Sequence, residues 1–185
     1  MNSETQIAKS QTKLFNLAIA AVMSAVMCVL APIAIPVGPV PVTLATLVLL
    51  LSVYLLGWKM GAVSVTIYLF LGMSGLPVFS GFAGGLTKLA GPTGGYLLGY
   101  VPMAIIAGIF IEKTRSRFMH VTGMLLGTAI LYVLGTTWFC AVMKANVGTA
   151  LTLCVLPFIP GDIAKIVIAL LLGPVLRKAL AKATG

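Results

Sequence analysis

Residues 118–142 read FMHVTGMLLGTAILYVLGTTWFCAV, and this stretch decides the class of fold. None of these 25 residues is Asp, Glu, Lys or Arg. An α-helix needs about 20 consecutive apolar residues to cross the hydrocarbon core of a bilayer. The stretch therefore predicts a membrane-spanning helix. Five further apolar segments predict helices over residues 13–31, 43–57, 60–75, 94–111 and 161–181.

The composition of the whole chain is that of a polytopic membrane protein. Of the 185 residues, 60% are apolar and 8% are charged, whereas a soluble domain carries about 25% charged residues. So few charges cannot cover a water-facing surface, and so apolar a chain is not intrinsically disordered. The net charge of +9 does not indicate nucleic-acid binding, because the basic residues form no stripe. We expect residues 1–185 to form a single transmembrane domain, since the length leaves no room for a separate soluble one.

The distribution of basic residues predicts the orientation of the helices, because cytoplasmic loops carry an excess of Lys and Arg. Nine of the twelve basic residues fall on one predicted side of the membrane: Lys9, Lys13, Lys59, Lys113, Arg115, Arg117, Arg177, Lys178 and Lys182. The other side holds Lys88 and Lys144, and Lys165 lies within the last helix. The sequence thus predicts an all-α membrane protein with six transmembrane helices and with cytoplasmic N and C termini.

Three loops on the extracellular side differ from the short basic loops opposite. Residues 31–41 are apolar and contain four prolines, residues 76–93 are Gly-rich, and residues 143–160 predict a short amphipathic helix before Pro157. Proline makes an extended segment stiff. Irregular backbone at membrane depth is tolerated only where it is buried in protein or lines a cavity. We therefore expect structured extracellular loops that form a binding face.

The segment Pro157-Phe-Ile-Pro-Gly-Asp-Ile-Ala-Lys165 carries the strongest chemical signal. It places Asp162 and Lys165 three residues apart, on one face of the last predicted helix. An ionisable residue in a membrane helix is costly and indicates a functional site. One interpretation is a polar ligand held by a carboxylate acceptor and an ammonium donor. The other is structural, because an Asp in the first turn suits the helix dipole and the Lys would neutralise it.

The Gly-rich segment supplies a second possible part of a site. Glycine lets backbone approach a ligand closely, but small residues also serve helix packing, and both interpretations remain open. The pocket interpretation predicts a wall formed by Phe79, Gly84, Gly85, Lys88, Tyr96 and Tyr100. Asn146 in the third loop is either a polar ligand contact or a residue that caps a turn.

No catalytic or cofactor motif is present in the sequence. It contains no H-E-x-x-H, no G-x-S-x-G and no G-x-x-x-x-G-K-[ST], and its three acidic residues are Glu4, Glu112 and Asp162. These residues supply no pair of acids for acid–base catalysis and no cluster for a metal ion. The sequence therefore predicts a protein that is not an enzyme and that needs no cofactor or metal.

Small residues form a stripe on the first predicted helix. Ala18, Ala21 and Ala25 recur at the spacing of one helix face. Such stripes let two helices approach closely in a membrane. The partner is either another helix of this chain or a separate membrane subunit.

Four motifs in order resemble those of the BioY family, the biotin-binding S components of energy-coupling factor transporters. They are Val37-Gly-Pro-Val-Pro-Val-Thr-Leu44, Gly75-Leu-Pro-Val-Phe79, Gly91-Pro-Thr-Gly-Gly-Tyr-Leu97 and Pro157–Lys165. The resemblance extends from the first helix to the last. One departure is Ala45, where many family members have Gln.

The resemblance implies a six-helix protein of the bacterial plasma membrane that binds biotin near the extracellular side. It implies three partner subunits, namely a transmembrane coupling subunit and two ATPase subunits. It also favours the coupling subunit as the partner of the Ala18, Ala21 and Ala25 stripe. Release of biotin is then expected through reorientation of the whole S component in the bilayer.

The chemistry of biotin assigns expected roles to the site residues. Its ureido ring has two N–H donors, which Asp162 would accept, and one carbonyl, to which Asn146 or Lys165 would donate. Its carboxylate would meet Lys88, Lys165 or the N–H groups of the Gly-rich loop, including Gly84 and Gly85. The expected walls and further contacts are Val42, Thr43, Leu44, Phe79, Tyr96 and Tyr100.

The sequence leaves three alternatives open. The chain could be an S component for another small vitamin, which ligand competition would reveal. It could be a solitary facilitator that equilibrates biotin without partners. A membrane enzyme or anchoring subunit is the third, and the missing acid–base pair argues against it.

Overall fold

Helices dominate the computed structural model, which describes residues 3–37 and 39–184, with side chains between residues 14 and 182. In chain order the elements are α1 Ser3–Leu30, β1 Ala34–Ile35, β2 Val42–Thr43, α2 Ala45–Met73, α3 Leu86–Ala90, α4 Gly94–Lys113, α5 Arg117–Met143, α6 Val147–Cys154 and α7 Ile159–Thr184.

Membrane-length helices confirm the predicted class of fold. Four of the described helical segments are long and apolar enough to cross a bilayer: Ala45–Met73, Gly94–Lys113, Arg117–Met143 and Ile159–Lys182. A fifth, Leu14–Leu30, is apolar but shorter. The whole α1 helix begins at Ser3, ten residues before the predicted start, because hydropathy locates only the apolar part of a helix. The chain is thus an all-α membrane protein.

The α2 segment consists of two helices that meet at Gly57. This residue has φ 73° and ψ −179°, a conformation that glycine adopts without steric cost. A Cβ placed on Gly61 would lie 3.0 Å from the Cα of Val53, although residues eight apart in a straight helix are about 12 Å apart. The chain therefore reverses at Gly57, where the sequence predicted the end of one helix and the start of the next.

The ends of α2 differ slightly from the predicted bounds of 43 and 75. Its first half begins at Ala45, because Val42 and Thr43 are paired in a strand. Its second half ends at Met73, before a turn in which Gly75 has φ 101°. At the reversal itself, the Trp58 N–H donates to the carboxylate of Glu112 at 3.1 Å and so links α2 to the end of α4.

The α2 and α4 helices lie at the centre of the packing. The α2 segment contacts α1, α4 and α7, and the most extensive helix contact joins α4 to α5. Ser24 of α1 donates to the Ser64 carbonyl at 2.7 Å. Gly95 of α4 lies directly against α5, where an added Cβ would be 2.8 Å from the Cγ of Trp138. Close approach at this point requires glycine.

The three predicted extracellular loops gather at the end of the molecule where α2, α4 and α7 begin. Residues 31–41 turn back as an antiparallel hairpin, with Ala34 opposite Thr43 and Ile35 opposite Val42. The Gly81 N–H donates to the Pro32 carbonyl at 3.0 Å, which joins the first loop to the second. The third loop contains the predicted short helix, α6. The second contains α3, a helix of five residues that was not predicted.

Candidate ligand-binding site

A buried ion pair lies in the first turns of α7. The Lys165 Nζ donates to Asp162 Oδ1 at 2.9 Å, and each residue is only 8% exposed. Two charges taken out of water are stable only when they are well paired and hydrogen-bonded. The two side chains share one helix face, as their spacing predicted, and together they carry no net charge.

Side chains from two other helices complete this polar network. The Tyr132 hydroxyl of α5 donates to Asp162 Oδ2 at 2.6 Å. The Lys165 Nζ also donates to Thr46 Oγ1 at 3.0 Å, at the start of α2. Both carboxylate oxygens thus accept from side chains, so Asp162 is part of a network that joins three helices. The network restricts the orientation of the carboxylate and of the ammonium group.

This network lines one lobe of a cavity, which we call the Asp162 lobe. Its volume, taken as the space open to the centre of a water molecule, is about 50 Å³. The hairpin, α2, α4, α5 and α7 all contribute to its walls. The lining residues are Val40, Pro41, Thr43, Thr46, Tyr96, Tyr100, Leu131, Tyr132, Phe158, Asp162 and Lys165.

A second lobe of about 30 Å³ adjoins the first, and we call it the Thr93 lobe. Its own lining residues are Ala31, Ser80, Thr93 and Leu97, and it shares with the Asp162 lobe the residues Val40, Pro41, Thr43, Tyr96 and Tyr100. The shared residues place the end of the proline-rich hairpin and two tyrosines between the lobes. One elongated ligand could therefore extend from one lobe into the other.

The Tyr96 ring, which lines both lobes, is held in place by its hydroxyl group. This hydroxyl donates to the Cys154 carbonyl of α6 at 2.9 Å. It also lies 3.4 Å from Thr136 Oγ1 of α5. The short helix of the third loop thus fixes a cavity wall, although it does not line either lobe itself.

Five of the predicted site residues come together around the cavity: Asp162, Lys165, Tyr96, Tyr100 and Thr43. Sequence reasoning missed Tyr132 and Thr46, which bind the ion pair directly. A signal for Tyr132 did exist. A tyrosine hydroxyl in the middle of a membrane helix must find a polar partner, and the apolar segments of the sequence contain few polar side chains that could be that partner.

Three other predicted site residues lie outside the lining of both lobes. Asn146 is exposed and caps α6, where its Oδ1 accepts from the Thr149 N–H at 2.8 Å. Lys88 is half-buried in the last turn of α3. Phe79 is fully buried and packs edge-to-face on Tyr68, with ring centroids 5.6 Å apart. A direct contact of any of the three with a ligand stays a prediction.

The remaining predicted contacts also lie beside the cavity rather than in its lining. Gly84 lies against the backbone of the preceding loop, and Gly85, with φ 86°, precedes α3. Val42 is half-buried in β2, and Leu44 is exposed at the start of α2. These four residues shape the loops that surround the lobes.

The small-residue stripe lies on a free face of α1. Ala18, Ala21 and Ala25 are all exposed, and so are the large neighbours Val22 and Val29. The described helices of this chain therefore leave the stripe uncovered. Separately, within the described residues no group of three or more His, Cys, Asp or Glu side chains could hold a metal ion.

Comparisons with known proteins agree on one family. Residues 3–182 match the BioY family. The chain is 38% identical over 159 residues to the biotin transporter BioY of Thermotoga maritima, covering 86% of this chain and 94% of that protein. It is 34% identical over 170 residues to the biotin transporter BioY2 of Lactococcus lactis, covering 91% and 93%. A crystal structure of the S-component for biotin from an ECF-type ABC transporter superposes with a TM-score of 0.84 at 31% identity, covering 91% of this chain and 93% of that one.

Proposed function

The chain belongs to the BioY family, and from this premise we propose that it is the biotin-binding S component of an ATP-driven energy-coupling factor importer. The family is one of membrane transporters and not of enzymes. The observation that carries the proposal is the buried Asp162–Lys165 pair, which faces a cavity beside the extracellular loops.

The chemistry of the Asp162 lobe suits a ureido ring. Each Asp162 oxygen has a second lone pair beyond the one used by Lys165 or Tyr132, so the carboxylate can accept the ring N–H donors. The Lys165 ammonium has three N–H groups, of which Asp162 and Thr46 receive two. The third is available for the ureido carbonyl. The rings of Tyr96, Tyr100 and Phe158 supply apolar walls for the bicyclic ligand.

The hairpin of residues 31–43 is proposed to act as a lid. Val40 and Pro41 line both lobes and so cover the proposed ligand along its length, and a shift of this cover would open both lobes at once. Prolines keep this cover stiff, which favours a movement of the hairpin as a unit. The hydrogen bond from Gly81 to Pro32 would move the second loop with it.

The partners are a transmembrane coupling subunit and two ATPase subunits. The exposed Ala18, Ala21 and Ala25 face of α1 is proposed to contact the coupling subunit, because small residues permit close helix approach. The sequence contains no P-loop motif of its own. ATP hydrolysis is therefore assigned to other chains.

The proposed topology has six spans and cytoplasmic N and C termini. The reversal of α2 at Gly57 divides it into two helices, which with α1, α4, α5 and α7 makes six. The asymmetry of Lys and Arg supports cytoplasmic termini. The cavity, at the opposite end from the basic loops, then faces the extracellular side.

A kinetic argument favours release through reorientation with the partners. If the chain binds biotin with a dissociation constant of about 1 nM, the free energy of binding is roughly −12 kcal/mol. With an association rate constant near 10⁶ M⁻¹s⁻¹, spontaneous release would take on the order of a thousand seconds. Rapid transport therefore needs a state with weakened contacts, which the partners stabilise.

Titration of the purified chain with biotin tests the proposal. Saturable one-to-one binding of biotin, without binding of riboflavin or thiamine, is the expected result. Proteoliposomes should then accumulate biotin only when the coupling subunit and ATPases are present and ATP is supplied. Equilibration of biotin by this chain alone would instead support the facilitator, and binding of a different vitamin would overturn the choice of substrate.

The variant Tyr132→Phe tests the role of the hydroxyl that binds Asp162. Loss of the hydroxyl should leave Asp162 Oδ2 without this donor, so that the carboxylate is less firmly oriented, and should weaken biotin binding by roughly 3- to 10-fold, as expected for one hydrogen bond that acts indirectly. Isothermal titration measures the change. Tyr54→Phe is the matched control, because the Tyr54 hydroxyl contacts His120 Nδ1 at 3.2 Å, away from the cavity. Equal affinities of the two variants would contradict the role of Tyr132.

A further inference from the structure

The Thr93 hydroxyl group has no hydrogen-bond partner although it is buried. Thr93 is 8% exposed, and among the buried side-chain nitrogen and oxygen atoms of the described residues, Thr93 Oγ1 alone lacks a partner. Nearly all buried polar groups in folded proteins are hydrogen-bonded, and an exception calls for a specific explanation. Thr93 is one of the residues that line the Thr93 lobe of the cavity.

The Thr93 hydroxyl also does not cap the helix that it precedes. Thr93 is the N-cap of α4, where a threonine hydroxyl ordinarily accepts from a backbone N–H two or three residues on. Here the side chain makes no such bond, and the backbone has φ −90° and ψ −5° instead of the extended conformation usual for a cap. The hydroxyl is thus available to another group.

The Thr93 lobe favours a negatively charged group. It lies at the N-terminus of α4, a 20-residue helix, where aligned peptide dipoles amount to about half a positive charge. Such helix ends bind carboxylates and phosphates. Ser80 adds a second hydroxyl to the lining. Lys165, in the other lobe, is already neutralised by Asp162 at 2.9 Å.

We propose that Thr93 is a specificity-determining residue whose hydroxyl donates to the carboxylate of the ligand at the N-terminus of α4. The inference rests on the proposed function, since it assigns the place where the carboxylate end of the same ligand binds. The Asp162 lobe binds the ureido ring, and the valerate chain passes Tyr96 and Tyr100 into the Thr93 lobe. The carboxylate is then recognised by the Thr93 hydroxyl and the helix dipole, without Lys165.

The experiment compares Thr93→Val, Thr93→Ser and the unchanged chain in titrations with biotin and with biotinol, its alcohol analogue. Thr93→Val keeps the shape of the side chain and removes the donor, so the dissociation constant for biotin should rise about 10-fold. Thr93→Ser keeps the hydroxyl and should stay within about 2-fold of the unchanged chain. For biotinol, which lacks the charged acceptor, the effect of Thr93→Val should fall below about 3-fold.

Thermal stability separates this role from a structural one. The Thr93 hydroxyl makes no hydrogen bond within the fold, so replacing it with a methyl group of the same shape removes no stabilising contact. Thr93→Val should therefore unfold at the same or a higher temperature. Thr137→Val is the matched control, because the exposed Thr137 hydroxyl donates within its own helix, to the Val133 carbonyl at 2.7 Å. It should leave the affinity for biotin unchanged.

The possible outcomes test the assignment of Thr93 separately from the proposed function. If the unchanged chain binds biotin and Thr93→Val binds it equally well, the assignment of Thr93 is wrong and the proposed function stands. An equal loss for biotin and biotinol also overturns the assignment, because the carboxylate would then not be the group recognised. If the unchanged and folded chain binds neither compound, the proposed function fails together with the assignment.

Discussion

Asp162→Asn should raise the dissociation constant for biotin by about 5- to 150-fold, which corresponds to about 1–3 kcal/mol. The carboxylate accepts from Lys165 at 2.9 Å and from Tyr132 at 2.6 Å, and it is the proposed acceptor for the ureido N–H groups. An amide has one oxygen acceptor and turns two N–H donors toward the ligand. The substitution also leaves the buried Lys165 ammonium without its counter-charge. Isothermal titration with the purified variant measures the effect.

Glu112→Gln is the matched control for Asp162→Asn, because it makes the same chemical change at the opposite end of α4. The Glu112 carboxylate accepts from the Trp58 N–H at 3.1 Å, and the glutamine oxygen can accept the same bond. This variant should bind biotin as the unchanged chain does. A folded Asp162→Asn variant with unchanged affinity would remove Asp162 from the ligand contacts and leave the ion pair as a structural feature.

Gly95→Ala should destabilise the protein by about 2–3 kcal/mol, at the upper end of the range for an overpacked core. The added Cβ would lie 2.7 Å from the Leu134 carbonyl oxygen and 2.8 Å from the Cγ of Trp138. Neither group can move freely. The carbonyl belongs to the α5 backbone, and the Trp138 Nε1 donates to the Gly91 carbonyl at 3.0 Å. The variant should therefore separate α4 from α5 and lower the thermal unfolding midpoint in detergent.

Gly148→Ala is the control for this change, because Gly148 also lies in a helix but has room for a methyl group. A Cβ there would meet only Asn146 Oδ1, at an ordinary distance of 3.5 Å. Alanine also favours a helix over glycine by about 1 kcal/mol. The midpoint of this variant should stay unchanged or rise. Equal midpoints for the two variants would show that α4 and α5 are not held at the distance described.

The sequence alone was sufficient to predict the class of fold and most of the helices. Apolar runs of membrane length are local signals, since each residue must suit the same hydrocarbon environment. The glycine at residue 57 marked the boundary between two helices for an equally local reason, because its φ of 73° disfavours other residues. The Asp162–Lys165 pair was predictable too, since a spacing of three residues on a helix fixes a shared face.

The set of residues around the cavity depends on contacts between residues that are distant in sequence. Thr46 meets Lys165 across 119 residues, and Tyr132 meets Asp162 across 30. No periodicity within a single helix specifies which face of a neighbouring helix it will contact. Asn146 Oδ1 caps α6, which is one of the two roles that the sequence offered, and a ligand contact by this residue stays a prediction.

What the sequence by itself determined is the membrane class, the approximate extent of the helices and the ion pair on α7. Hydropathy and helical spacing act over a few residues, and they are readable without knowledge of the rest of the chain. Only the tertiary structure decided that Tyr132 and Thr46 complete the polar network and that Thr93, whose hydroxyl has no partner, lines the cavity. Those positions follow from how α2, α4, α5 and α7 pack together, which is set by the shapes of all their side chains at once.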